Sequence, residues 1–416
     1  MVDRTQPVLA RDLLAISAFA LLLPAVASGA RVDPSLSESD YPDFSGDLNI
    51  LSRTLRQMAD RYQPGGLPEF LLGGDLDYQS HRASLEVPLE MRVKLLDAIL
   101  EADPDIVRVT PSYEPWLFPE WNASDELRGY MDRIVELTRG AGKGLMIADG
   151  AAEYYWENRL DWESFSDAFV SRVTDLATRY EPEYYVVVKE PAWYNGLSWS
   201  EPGGMLLSSP TVSDWLELTD RACSAVKRAS QGTVTMVAVI PGDASGGDHF
   251  PESREYFIAA HGIESVDVVG VDVYSVADLL RVEGMLDSLT GEGKPHWILE
   301  TWEGHPDTQD EGWRVWSHAD WLALVSRYAQ NLAFEGVVTF YNRCLCYAGS
   351  ERPGSFQEWD EWLENRTPAF EVLEVIAELT SEVSEGWLLP TLAFSAVSLL
   401  FLKSRFARDN YHDREP

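Results

Sequence analysis

The middle of the chain is built from short apolar runs that recur at intervals of about 30 to 50 residues. Each run carries β-branched or other apolar residues at consecutive positions, without the alternation of a strand that is exposed on one face. Such runs are typical of strands buried on both faces, as in a parallel sheet. We therefore predict eight strands, at Glu69–Gly74, Asp105–Thr110, Gly144–Ala148, Tyr184–Lys189, Thr233–Ile240, Asp267–Val273, His296–Glu300 and Gly336–Tyr341.

Most of the intervals between these runs have a helical pattern, because their apolar residues are spaced three and four apart. Glycine, proline and serine separate the two kinds of segment, as expected for turns. The predicted helices are Leu89–Ala102, Asp125–Arg139, Trp162–Tyr180, Val212–Ser230, Ser275–Leu289 and Ala319–Phe334.

Eight strands, each followed by a crossover segment, are typical of a (β/α)8 TIM barrel, an α/β fold that we place over residues 65–383. The alternative is a doubly wound open sheet, which usually has a glycine-rich phosphate turn after its first strand. Gly73-Gly74-Asp75 does not match that turn, and Arg139–Lys143 lies between a helix and a strand, the wrong order for a phosphate loop. The pattern favours the barrel.

The two ends of the chain carry apolar segments outside the predicted barrel. Leu13–Val26 follows two arginines and precedes small residues with an A-x-A exit, so we predict a signal peptide over 1–30, an uncleaved anchor being the alternative. Gly386–Leu402 is uncharged and precedes Lys403, which predicts a transmembrane helix; a buried C-terminal helix is the alternative. Residues 31–64 are expected to form a linker and an extra helix, and 403–416 a cytoplasmic tail, with the barrel outside the membrane at the cell surface.

Acidic residues outnumber basic ones by 68 to 33, giving a formal net charge of −35. This charge argues against a nucleic-acid partner, because phosphate binding needs clustered lysine and arginine. We interpret it as the composition of a halophilic protein, which favours an archaeal source, the alternative being an ordinary acidic surface protein. The apolar and aromatic content is high enough to form a substantial core, which argues against a disordered chain.

Cysteine and histidine give no metal or nucleophile signature. Cys223 is distant from Cys344 and Cys346, so a disulfide between Cys223 and either of them and buried free thiols both remain open. No histidine has the spacing of a zinc site or of a serine-protease triad, and Asp75-Leu-Asp77 lacks accompanying ligands. We therefore expect no metal and no cofactor.

In a barrel of this kind, function resides at the carboxyl ends of the strands. Two glutamates, Glu190 and Glu300, end otherwise apolar predicted strands, where a carboxylate is costly unless it has a partner or a task. Further candidates for substrate contact at the same end are Lys189, Arg108, Asp75, Asp149, Trp193, Tyr194, Tyr274, Trp302 and Tyr341. Their aromatic members suit the stacking that binds sugar rings.

The sequence resembles the clan A retaining (β/α)8 glycoside hydrolases in three features. They are a glutamate followed by Pro191 after strand 4, a glutamate ending strand 7, and Tyr274 after strand 6. The resemblance implies that Glu190 is the acid/base, that Glu300 is the nucleophile, and that the partner is a β-linked carbohydrate.

The motif departs from that clan at two positions. Lys189 replaces the usual asparagine before the acid/base, where it would hold Glu190 ionised or bind an anionic sugar, and Tyr341 replaces the usual tryptophan of strand 8. The alternative function is therefore a non-catalytic glycan-binding or envelope protein on the same scaffold.

Overall fold

The computed structural model describes residues 70–76, 89–111, 125–150, 161–191, 210–241, 250–289, 293–301, 311–339, 370 and 372–377. The two terminal apolar segments lie outside these ranges, because the described residues begin at 70 and end at 377. Among the described residues, no helix is both long and apolar enough to span a bilayer.

Eight parallel strands form a closed barrel in which each strand pairs with its neighbours in sequence and β8 returns to β1. The strands are β1 Leu71–Asp75, β2 Ile106–Val109, β3 Gly144–Ala148, β4 Tyr184–Lys189, β5 Val234–Val239, β6 Val268–Val273, β7 His296–Thr301 and β8 Gly336–Thr339. This architecture confirms the (β/α)8 prediction and excludes the open doubly wound sheet.

Seven helices lie in the crossovers that the structure describes. They are α1 Leu89–Glu101, α2 Asp125–Gly140, α3 Trp162–Tyr180, α4 Val212–Ala229, α5 Phe250–Ala260, α6 Val276–Leu286 and α7 Glu311–Asn331. Six of them overlap the predicted helices. The sequence prediction missed α5, because its apolar residues cluster in the second half of the helix instead of recurring along one face.

Polar caps fix where several helices begin. Asp161 precedes α3 and accepts a hydrogen bond from the Ser164 amide at 2.9 Å. Thr211 and Asp214 form a capping box at the start of α4, in which each side chain bonds the backbone amide of the other residue. These bonds satisfy amides that have no partner within the helix.

The core has two layers. The larger layer lies between the strands and the helices and includes the buried thiol of Cys223, which is free. The smaller layer fills the barrel interior with side chains from alternate strand positions, such as Met146, Val186 and Trp297. Trp297 takes so much of this space that a Cβ on Gly336 would lie 2.5 Å from its ring. The barrel interior is therefore filled with packed side chains, and polar chemistry is confined to the carboxyl ends of the strands.

Candidate active site

A bulge in β4 turns Lys189 into the barrel. Val186 belongs to the interior layer, whereas Val187 and Val188 both belong to the layer that faces the helices. The pairing of β4 with β5 shifts between Val186 and Val188, after which Lys189 pairs with Ala238. The extra helix-facing residue resets the alternation of the strand, so Lys189 points inward.

A second irregularity in β7 turns Glu300 inward. Strict alternation from Trp297 would give Leu299 an interior position and send Glu300 toward the helices. The pairing of β7 with β6 instead shifts, so that Ile298 pairs with Val271 and Glu300 pairs with Asp272. Leu299 and Glu300 therefore both face the interior, and Glu300 is only 2% exposed.

The backbone at the end of β4 is strained. Glu190 has φ = +49°, a left-handed conformation that residues with a side chain rarely adopt. Its amide donates a hydrogen bond to the Ala238 carbonyl at 2.9 Å, which ties the turn to β5. A conformation of this kind costs about 1–3 kcal/mol and is concentrated at functional sites.

One tyrosine joins the two glutamates. The Tyr274 hydroxyl lies 3.1 Å from Glu190 Oε1 and 2.5 Å from Glu300 Oε1. The distance between the two carboxylate oxygens therefore cannot exceed the sum of these two distances. This bound agrees with the roughly 5–5.5 Å separation of carboxyl groups in retaining glycoside hydrolases.

Two cations bind the other oxygen of Glu300. Arg108 Nη2 donates to Glu300 Oε2 at 2.9 Å, and Arg108 Nη1 donates to the Leu299 carbonyl at 2.9 Å. Lys189 Nζ forms an ion pair with the same Oε2. Both cations are buried or nearly so, which makes these contacts stronger than ion pairs in water.

These contacts separate the pKa values of the two glutamates. Burial raises the pKa of Glu190, and the charge of Glu300 raises it further, against the opposing effect of Lys189. Burial also acts to raise the pKa of Glu300, but Lys189 and Arg108 outweigh it, so this pKa lies below its ordinary value. Lys189 therefore lowers the pKa of Glu190 by less than burial and Glu300 raise it. Glu190 holds its proton to higher pH than Glu300 does, which is the order that acid-assisted displacement requires.

Two aspartates complete the buried cluster. Asp75 at the end of β1 is fully buried, and its charge raises the pKa of Arg108 against the effect of burial. Asp272 of β6 is also fully buried, and burial together with the charges of both glutamates raises its pKa. Asp75 is among the substrate contacts predicted from sequence, whereas Asp272, at the end of the predicted strand 6, is given no role there; an aspartate inside the apolar run Val268–Val273 is the signal that points to it.

Asp149 lies away from this cluster. Its Oδ2 accepts a hydrogen bond from Arg172 Nε of α3 at 2.9 Å and one from the Tyr185 hydroxyl at 3.3 Å. Asp149 and Arg172 are both almost completely buried. The ion pair joins the end of β3 to the helix layer, whereas Arg108, Lys189, Tyr274 and the two glutamates meet inside the barrel.

The remaining predicted substrate contacts are four aromatic residues. Trp193, Tyr194, Trp302 and Tyr341 lie outside the described residues, as do Cys344 and Cys346. Within the described part of the chain, no group of three or more histidine, cysteine, aspartate or glutamate side chains has the arrangement of a metal site.

Comparisons with known proteins agree with the fold. No protein-family profile and no curated protein matches the chain. Among solved structures, GH5_18 from Streptomyces cattleya in complex with GlcNAc is similar, with a TM-score of 0.52, 14% identity, and coverage of 79% of this chain and 82% of that chain.

Two further solved structures are glycoside hydrolases at lower similarity. The β-glucosidase 1317 has a TM-score of 0.47 and 13% identity, covering 70% of this chain and 89% of that chain. The endo-1,4-β-mannanase from Rhizomucor miehei has a TM-score of 0.44 and 13% identity, covering 65% and 86%. The similarity to GH5_18, at 14% identity, shows the fold alone, and this fold is the (β/α)8 barrel that the resemblance predicts.

Proposed function

We propose that the chain is a retaining glycoside hydrolase that cleaves a β-glycosidic bond with Glu190 as acid/base and Glu300 as nucleophile. The observation that carries this proposal is the Tyr274 hydroxyl within 3.1 Å of one carboxylate and 2.5 Å of the other, on glutamates with oppositely shifted pKa values. One carboxyl is thereby kept protonated and the other ionised at the same pH.

In the first step, a Glu300 carboxylate oxygen attacks the anomeric carbon and forms an ester bond with it. The bond between that carbon and the leaving oxygen breaks, and the proton of Glu190 moves to the leaving oxygen. Arg108 and Lys189 orient Glu300 and keep it ionised before the attack.

In the second step, Glu190 is a carboxylate and acts as a base. It removes a proton from water while the water oxygen bonds to the anomeric carbon and the ester bond to Glu300 breaks. Glu190 regains its proton and Glu300 its charge. Because the anomeric carbon is inverted twice, the product keeps the β configuration.

The proposal includes a setting. The barrel would stand outside the cell at the surface, anchored through residues 386–402, and would act on an oligo- or polysaccharide in a saline medium. The net charge of −35 supports an acidic, well-solvated surface. Trp193, Tyr194, Trp302 and Tyr341 would line the sugar cleft.

Turnover on a panel of aryl β-glycosides tests the chemistry. We expect the wild type to release the aryl group with retained configuration, and Glu190→Gln to lose about 10²–10⁴-fold in rate on substrates that need acid assistance. A 2-deoxy-2-fluoro aryl glycoside should leave a covalent adduct on Glu300, found by mass spectrometry of the digested protein, and no adduct in Glu300→Gln.

Glu264→Gln provides a matched control, because Glu264 is an exposed carboxylate on the loop before β6. This variant should behave as the wild type. Inverted product, or full activity in Glu300→Gln, would contradict the assignment. Glycan binding by a wild type that hydrolyses none of the panel would instead favour the non-catalytic glycan-binding protein.

A further inference from the structure

Asp272 is a buried carboxyl to which the proposed reaction gives no task. It is fully buried on the inner face of β6, level with Glu300 on β7 and two residues before Tyr274. Among the described residues, no donor or acceptor meets hydrogen-bond geometry with either oxygen of Asp272. A buried carboxyl without a formed partner is costly, which points to a role in the site.

The charges around Asp272 oppose its ionisation. Burial raises its pKa well above the ordinary value, and the charges of Glu300 and Glu190 raise it further, against Lys189 and Arg108. Lys189 and Arg108 are already engaged with the carboxylate of Glu300. Full burial among these carboxylates therefore favours the neutral form of Asp272, whose O–H needs an acceptor.

Glu190 is the acceptor that we assign to Asp272, because Tyr274, Arg108 and Lys189 already bind both oxygens of Glu300. Asp272 acts on Glu190 as a hydrogen-bonding neighbour that lowers the pKa of Glu190. The contact does not meet the geometry of a formed hydrogen bond in the resting structure. Contacts of this kind in enzymes without substrate often tighten only as charge develops during the reaction.

We propose that Asp272 is a positioning residue that donates its carboxylic-acid proton in a hydrogen bond to Glu190 as Glu190 becomes negatively charged. This proposal rests on the proposed function of Glu190. A hydrogen bond to a carboxylate is about twice as strong as one to a neutral carboxyl, so the bond strengthens as Glu190 gives up its proton. An interaction that is stronger in the transition state than in the ground state raises the rate.

The dependence of the rate on the leaving group tests this role. Asp272→Ala should lower kcat/KM by about 10–150-fold for an aryl glycoside with a weakly acidic leaving group, which needs the proton of Glu190. For a dinitrophenyl glycoside, which leaves without acid assistance, the loss should stay below about 3-fold. Asp272→Asn keeps a neutral donor and should restore both rates to within about 5-fold of the wild type.

Three results would overturn the proposal. Equal losses on both substrates would mean that Asp272 acts through Glu300 or the fold. Wild-type rates in Asp272→Ala would mean that no bond forms. A shift of both limbs of the pH profile to lower pH in Asp272→Asn would mean that Asp272 is ionised. Asp272→Leu, which removes the donor without opening a cavity, replaces the alanine variant if that variant does not fold.

A spectroscopic measurement separates this proposal from the proposed function. If the wild type hydrolyses no glycoside, the proposed function fails, but the state of Asp272 is still measurable. In the infrared C=O region of protonated carboxylic acids at neutral pH, the wild type should show a band that is missing in Asp272→Asn, while the band of Glu190 remains in both. Identical spectra would overturn the neutral Asp272 directly.

Discussion

The hydroxyl of Tyr274 offers the sharpest test of the site, because a single oxygen contacts both glutamates. Tyr274→Phe removes that oxygen and keeps the ring. A hydrogen bond to a charged group contributes about 1.5–3 kcal/mol, which corresponds to about 10–150-fold in kcat/KM if the bond to Glu300 is lost from the transition state.

The same change has a signed effect on the pH profile. The phenol lowers the pKa of Glu300 and also that of Glu190. Without it both pKa values rise, so the acid limb, which reports Glu300, and the basic limb, which reports Glu190, should both move to higher pH. The assay is kcat/KM against pH on one aryl β-glycoside.

Tyr328→Phe is the control for this experiment. Tyr328 is a buried tyrosine whose hydroxyl donates to the Leu279 carbonyl at 2.9 Å, in the helix layer. Its variant should lose about 1 kcal/mol of stability and keep the wild-type profile. If Tyr274→Phe left both limbs in place, or lost less than about 3-fold in rate, the joint role of the hydroxyl would be refuted.

Lys189→Met should raise the pKa of Glu300 and move the acid limb of kcat/KM to higher pH, because a cation on the carboxylate is lost; Lys189→Arg should restore the limb, and an unmoved limb in Lys189→Met would contradict the ion pair. Arg172→Met should cost about 3–5 kcal/mol in urea denaturation, because it leaves the buried Asp149 carboxylate without its cation. The double variant Arg172→Met, Asp149→Asn should lose less, and a loss below about 1 kcal/mol in the single variant would count against this pair as a structural element.

The strands were predictable from sequence because every one is an apolar run flanked by turn residues. Gly144–Ala148 and Tyr184–Lys189 coincide with the predicted bounds, and the other six strands overlap theirs with ends that differ by at most two residues, because burial on both faces makes each strand a continuous apolar run. The short apolar cluster of α5 carries no comparable period, and the helix was therefore missed.

Whether each site residue points into the barrel or toward the helices was not predictable in the same way. Side chains alternate between the two faces of a strand only where its pairing is regular. The irregularities in β4 and β7 each interrupt this alternation. Asp149 follows β3 in the same manner as Glu190 follows β4, yet its partner is Arg172, 23 residues further along the chain on a helix. Only the packed structure distinguishes a carboxylate that faces the barrel interior from one that faces the helix layer.

The Glu300 side chain itself favours the irregular pairing of β7. In a regular strand this carboxylate would face the helix layer, where Thr301 accepts a hydrogen bond from the Trp321 indole at 2.8 Å. A charge turned into that apolar layer would lack Arg108 and Lys189, so the cost of burying it disfavours the regular pairing. An apolar residue at position 300 would remove this penalty and free β7 to pair regularly. The residue proposed for catalysis would then also specify the local conformation, and a change there would alter the strand as well as the chemistry.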